Sequence, residues 1–357
     1  MDTPTHVYCY PVSRESAYVP LLFRGIEAQY CPIYRQEGFF TEAIAELAAG
    51  RRVIVHVHWE EFVLRACRTD QEAAHAAEGF ERSLGEVRDR GGIIFWTVHN
   101  EVPHLIGFGE QFLRLRAYLA RIADVILVHN ATTTEILAAQ VNLDRAKARL
   151  LPHPSYVGEF EDETALVAGL DTCPDRIIQG FGWVRVQKGF GEMIGMLPPS
   201  FVDSRSARIR ISGEGVEAPA VIATNPGRED VVWDLRHVPN REVPALLRSA
   251  CCLVLPYTRV LTSGIALVAM SVGVPLVAVD IPQFRDLLPP ENHPLLFPRG
   301  DAHAFRRCID HALSLSTAQR RRLVEANLKL ARLLRPHRIA QQLAALFNAA
   351  RRDGVPG

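Results

Sequence analysis

The chain of 357 residues contains no apolar run of about 18 or more residues, the length a membrane-spanning helix requires. Residues 1–16 lack a basic segment followed by an apolar stretch, so they do not read as a secretory signal. Cysteine is sparse, at seven residues, and forms no C-x-x-C pair; Cys251 and Cys252 are merely adjacent. An odd set without paired spacing excludes a disulfide frame and a cysteine zinc knuckle, and fits buried thiols in a reducing cytoplasm. Lysine is scarcer still, limited to Lys147, Lys188 and Lys329. Net charge is zero and no nucleic-acid motif is present, which excludes nucleic acid as a partner. Neither repeats nor low-complexity segments occur, and with 48% apolar and 22% charged residues the chain is not disordered over long stretches.

The charge that is present is unevenly distributed. Residues 1–170 carry 16 Lys and Arg against 23 Asp and Glu, while residues 171–357 carry 24 against 17. A basic second half suits an anionic ligand. Short β-branched or apolar runs alternate with amphipathic stretches. Strands are expected at His6–Tyr10, Val53–Val57, Gly92–Val98 and Asp124–His129, then at Arg176–Phe181, Ala207–Ser212, Val231–Trp233, Cys251–Leu255 and Pro275–Val279. Helices are expected at Phe40–Ala49, Glu72–Asp89 and Gln111–Ile122, from apolar residues three and four apart. Such alternation predicts an α/β protein with two parallel sheets, each covered on both faces. The acidic stretch Glu159–Pro174 is the expected break, giving domains at 1–165 and 166–335. Ser316 and Gln319 form a capping-box pattern, Pro336 ends a helix, and His337–Arg352 forms the last one, residues 336–357 standing as a separate C-terminal segment.

Parallel sheets bind ligands beyond the carboxyl ends of their strands, so the loops after the strands hold the candidates. In Gly182–Gly189, Gly182 permits close backbone approach, and Arg185 and Lys188 bring two cations to a loop that enters a helix. The pair suits a diphosphate, although a solvated turn with two surface charges reads equally from these residues. In Pro256–Gly264, Thr262 or Ser263 caps an apolar helix beginning near Gly264, whose free N–H groups suit an anion. Ser212-Gly-Glu-Gly215 is a short Gly-rich turn with weaker meaning. In the first half, Val53–Val57 runs into His58-Trp59-Glu60-Glu61, and Gly92–Val98 into His99-Asn100-Glu101-Val-Pro-His104. His and Glu at strand ends serve as acids or bases, or as structural partners. The loop from Val12 to Tyr18 is an ordinary surface loop or a cover for the same place.

Taken together, these motifs resemble GT-B fold glycosyltransferases. G-x-[IV]-R-x-x-K-G at Gly182–Gly189 is similar to their donor phosphate loop, and Leu-Pro-Tyr with Thr-Ser-Gly at Leu255–Gly264 is similar to their second one. His-x-His-Trp-x-Glu at His56–Glu61 and Thr-x-His-Asn-x-x-Pro-His at Thr97–His104 resemble the exopolysaccharide glycosyltransferases that include the xanthan-pathway β-mannosyltransferase. The resemblance spans Val53 to Val279 and implies two Rossmann-like domains with parallel sheets facing a central cleft. It implies that the second domain holds a nucleotide-sugar donor, favoured as GDP-mannose, through Gly182, Arg185, Lys188, Ser212, Thr262, Ser263 and Gly264. Tyr257 would line the donor pocket, and the backbone at Val238 would meet the base. The last helix would cross back to the first domain. The acceptor would be a glycan or a polyisoprenyl-diphosphate-linked oligosaccharide, met in the cytoplasm or peripherally at the inner face of the membrane. Helix Gln111–Ile122, with Arg114, Arg116 and Arg121, is either a membrane-surface element or a plain core helix.

Two departures shape the expected mechanism. The large retaining family of this fold carries two glutamates eight positions apart around the second phosphate loop, where this chain has Leu261 and Ala269. The Arg that usually follows the loop glycine is Trp183 here. Both agree with the inverting exopolysaccharide subgroup. Inversion requires a base for the acceptor hydroxyl, and Glu61 is the first candidate, followed by His99 and His104. No Asp-x-Asp pair is present to bridge a metal to the diphosphate, so neither metal nor cofactor is expected. The alternatives are a retaining UDP-sugar transferase and a non-enzymatic sugar- or nucleotide-binding protein; a dinucleotide oxidoreductase lacks its G-x-G-x-x-G.

Overall fold

The computed structural model describes residues 4–12, 17–36, 38–101, 107–170, 174–257 and 259–353. They fall into two compact units, one of residues 1–154 with 336–357, the other of residues 155–335. Each contains a six-stranded parallel sheet.

The first sheet contains β1 (Thr5–Tyr10), β2 (Tyr30–Tyr34), β3 (Val53–Val57), β4 (Ile93–Thr97), β5 (Val125–Val128) and β6 (Ala148–Leu150), in the order β2-β1-β3-β4-β5-β6. The central strands are buried over their whole length, which accounts for near-continuous apolar runs such as VIVHV and VILV. Their neighbours are helical segments with one apolar face. Asp70–Asp89 buries Ala73, Ala77, Phe80, Leu84 and Val87 and begins with a full capping box between Thr69 and Glu72. The last helix, Pro336–Asp353, packs in this unit: Phe347 meets Phe23, Tyr30 and Phe95, and Asn348 accepts a hydrogen bond of 2.8 Å from the Tyr30 hydroxyl.

The second sheet contains β7 (Ile177–Phe181), β8 (Arg208–Ser212), β9 (Val231–Asp234), β10 (Cys252–Leu255), β11 (Leu276–Val279) and β12 (Leu296–Phe297), in the order β12-β11-β10-β7-β8-β9. From its own first strand outwards this is the doubly wound Rossmann order. The acidic stretch after residue 159 lies in this unit. It is helical over Glu163–Gly169, capped by Asp162 and seated on Leu166.

Nine strands were expected and twelve are found. The additional three, β2, β6 and β12, are all edge strands. β2 carries Pro32, and β6 and β12 have three and two residues, so none presents the apolar run that identified the others. Among the described residues no helix is long and apolar enough to cross a membrane.

Candidate active site

In the second sheet the strand order reverses between β7 and β10. Ligands of doubly wound sheets bind outside the carboxyl ends at such a reversal. The two loops leaving that point are 182–189 and 256–264. They are held in place by backbone contact. Gly182, at φ +110°, donates its N–H to the Ser212 carbonyl at 3.0 Å, and Val184 donates to the Glu214 carbonyl at 2.8 Å. A Cβ on Gly213 would stand 2.1 Å from the Gly182 oxygen, and one on Gly215 would stand 2.1 Å from the Val184 oxygen. Only glycine permits such an approach. A Cβ on Gly182 would in turn lie 3.3 Å from Ile265, in the first turn of helix Gly264–Val272.

The side chains form a row across the two loops. The Lys188 ammonium lies 4.3 Å from the centre of the Tyr257 ring. The Tyr257 hydroxyl shares a hydrogen bond of 2.6 Å with Ser263 Oγ, which also accepts from the Ala266 N–H at 3.1 Å. Ser263 is therefore the helix cap, and Thr262 precedes it, partly exposed. Burial, and next the Arg185 charge, lower the Lys188 pKa to about 8. Arg185 stacks on Trp183, which is exposed. Ser212 is fully buried; its hydroxyl accepts from Gln179 at 3.1 Å, so it acts on the loop rather than from its surface. The Val238 side chain belongs to the core.

The first sheet reverses between β1 and β3. Trp59, Glu60 and Glu61 follow β3 and are tied to the loop after β4. Arg116, fully buried, donates to Glu60 at 2.8 Å and to the carbonyls of Asn100 and Glu101. Arg116 is thus inside the unit, Phe112 and Leu115 are buried, and Arg114 pairs with Glu81, so helix Gly109–Ile122 is a core helix. Glu61 accepts from the Asn100 amide, and its other oxygen is buried without a partner. Burial, and then the neighbouring Glu60 charge, raise its pKa to about 8. His99 stacks on Trp59 at 4.4 Å and shares a hydrogen bond of 3.3 Å with His58. His104 lies outside the described residues, as do residues 13–16 of the first loop.

The structure adds what the residue patterns left unread. His129 follows β5 and His153 follows β6, and both surround Tyr18 together with His58, His99 and Trp59. Burial holds His129 at about 4 and His153 at about 3, and keeps His58 and His99 well below the ordinary imidazole value. The repeated Val-His-Asn, at 98–100 and 128–130, was the available signal.

Residues 177–314, from β7 through helix Ala302–Ser314, match the family described as Glycosyl transferases group 1. The second unit is a glycosyltransferase domain. The fold of the whole chain matches known GT-B structures. Sucrose-phosphate synthase from Thermosynechococcus elongatus is 15% identical, with a TM-score of 0.70 over 97% of this chain and 98% of that one. Anabaena Alr3699/HepE in complex with UDP and glucose is 12% identical, with a TM-score of 0.67 over 97% and 99%. Staphylococcus aureus TarM, crystallised with UDP and glycan ligands, is 10% identical, with a TM-score of 0.63; the match covers 86% of this glycosyltransferase and 58% of that chain. No curated protein sequence matches.

Proposed function

We propose that the protein transfers a sugar from a nucleotide-sugar to a glycan or lipid-linked oligosaccharide, with the donor diphosphate held by loops 182–189 and 256–264. The observation that carries this reading is the row Lys188–Tyr257–Ser263 at the reversal point of a group 1 glycosyltransferase sheet. Arg185 and Lys188 supply cations, and helix Gly264–Val272 supplies N–H groups and the positive end of its dipole, for the departing diphosphate. Gly182 and Gly264 keep the backbone close to the ligand, with Ser212 bracing the loop, Tyr257 on the pocket wall and Val238 beside the base.

The transfer is read as inverting, because the two positions that carry glutamates in the retaining family are buried Leu261 and Ala269. Glu61 is assigned as the base that takes the acceptor proton. A carboxyl near pH 8 is a stronger base than an ordinary carboxylate. His99 and His104 are the next candidates. Mannose from GDP-mannose, for an exopolysaccharide assembled at the inner membrane face without a metal at the diphosphate, follows from the four-motif resemblance. A UDP-sugar is the second reading, supported by the UDP in the HepE and TarM complexes.

The test is a thermal-shift and calorimetric screen of GDP, UDP, ADP, NAD and their sugar conjugates, with wild type and Lys188→Ala. One sugar nucleotide should stabilise wild type, and the variant should lose that response. Response to NAD alone would defeat the assignment. With the donor known, Glu61→Gln should lower turnover by about 10²–10⁴-fold while donor affinity is retained. NMR of the product anomer separates inversion from retention.

A further inference from the structure

Below the carboxyl edge of the first sheet, β1 and β3 bring three donor atoms together. Cys9 and His56 are register partners on these strands, so their side chains leave the sheet on one face. His58, two residues on, leaves it on the same face. All three have zero exposure. The two imidazole centres are 4.0 Å apart, and Cys9 Sγ and one nitrogen of each ring all lie within 4.8 Å of one another.

The hydrogen bonds decide which nitrogens remain. His56 Nε2 is bonded to Thr97 Oγ1 at 2.8 Å, and His58 Nδ1 to His99 Nε2 at 3.3 Å. His56 Nδ1 and His58 Nε2 are buried and have no partner. Two orphaned buried nitrogens beside a buried thiol are unusual, because interiors satisfy such atoms.

The geometry points to a buried site for a thiophilic transition-metal ion, held by Cys9 Sγ, His56 Nδ1 and His58 Nε2. Thiolate with imidazole is the donor set of zinc and of monovalent copper. Metal-bound histidines characteristically engage their second nitrogen in an outer hydrogen bond, as Thr97 and His99 provide here. Binding replaces the thiol proton, which leaves to solvent, and no oxidation state changes. Cu⁺ with one thiolate gives a neutral three-coordinate site. Zn²⁺ leaves one positive charge and calls for a fourth ligand. The ion would fix His58 with its proton on Nδ1, so that His99 Nε2 accepts. It is separate from the diphosphate site and does not depend on the donor assignment.

The test unfolds and refolds the full chain anaerobically with Zn²⁺, Cu⁺ or Co²⁺, removes excess metal, and measures metal per chain. Wild type should retain one ion, and Co²⁺ should give a thiolate-to-cobalt charge-transfer band. Cys9→Ser should lose the band and the ion, while Cys31→Ser keeps both. Preference between Cu⁺ and Zn²⁺ identifies the occupant. Refolded wild type that retains no metal, or a band that survives in Cys9→Ser, overturns the site. If Cys9→Ser does not fold, His58→Ala and the wild-type cobalt spectrum decide.

Discussion

Lys188 is held by an aromatic face on one side and a lowered pKa on the other, and together these predict how its ligand behaves with pH. With its pKa near 8, the ammonium loses its charge as pH rises through 8. Nucleoside diphosphate affinity should therefore fall above pH 8, and Lys188→Ala should flatten that dependence and weaken binding by about 10- to 100-fold. A bound diphosphate favours the charged form, so binding at pH 8–9 should take up a proton. Calorimetry in buffers of different ionisation heat measures this directly, and the same enthalpy in all buffers would contradict it. Glu61 has the opposite sign. Its pKa rises from about 4.5 unfolded to about 8 folded, so its contribution to stability is present below 4.5 and lost as pH climbs to 8. Glu61→Gln should raise the melting temperature at pH 8 while it lowers turnover, a combination that a structural residue would not give.

At the scale of elements, the donor loops depend on backbone packing that no side chain can replace. Gly213→Ala places a methyl against the Gly182 carbonyl at a φ of +138°. It should destabilise the second unit by at least about 1–3 kcal/mol and weaken donor binding, as urea unfolding and calorimetry would report. The central strands were legible because burial on both faces leaves an unbroken apolar run, as in VIVHV and VILV. The edge strands were not, since β2 is interrupted by Pro32 and β6 and β12 gain their pairing only from a neighbour. The donor loops were legible because glycine and a scarce lysine mark them. The histidines around Tyr18 were only half legible: His58 and His99 stood in motifs, whereas His129 and His153 join them through tertiary packing. Arg116 was misplaced by periodicity alone, because its interior position depends on Glu60 in a distant loop.

For the whole molecule, the histidines make the first unit the acid-sensitive one. His56 and His153 are held near 3 and His129 near 4, with His58 and His99 also lowered, all chiefly by burial. The unfolded imidazoles protonate near 6.5 while the folded ones do not. Stability is therefore intact above pH 6.5 and declines as pH falls towards 3, by up to about 1.4 kcal/mol per pH unit for each group. Urea midpoints recorded from pH 7 to pH 5 should fall, with the first unit losing its structure before the second; a flat profile would contradict this. The two units also differ in how the chain completes them. The second is one continuous stretch, whereas the first waits for helix Pro336–Asp353, which places Phe347 against Phe23, Tyr30 and Phe95. During synthesis the part made first is thus the part finished last. Its aromatic face stays open until the ribosome has passed residue 347, which makes this interval the one in which a nascent chain would need a chaperone's cover.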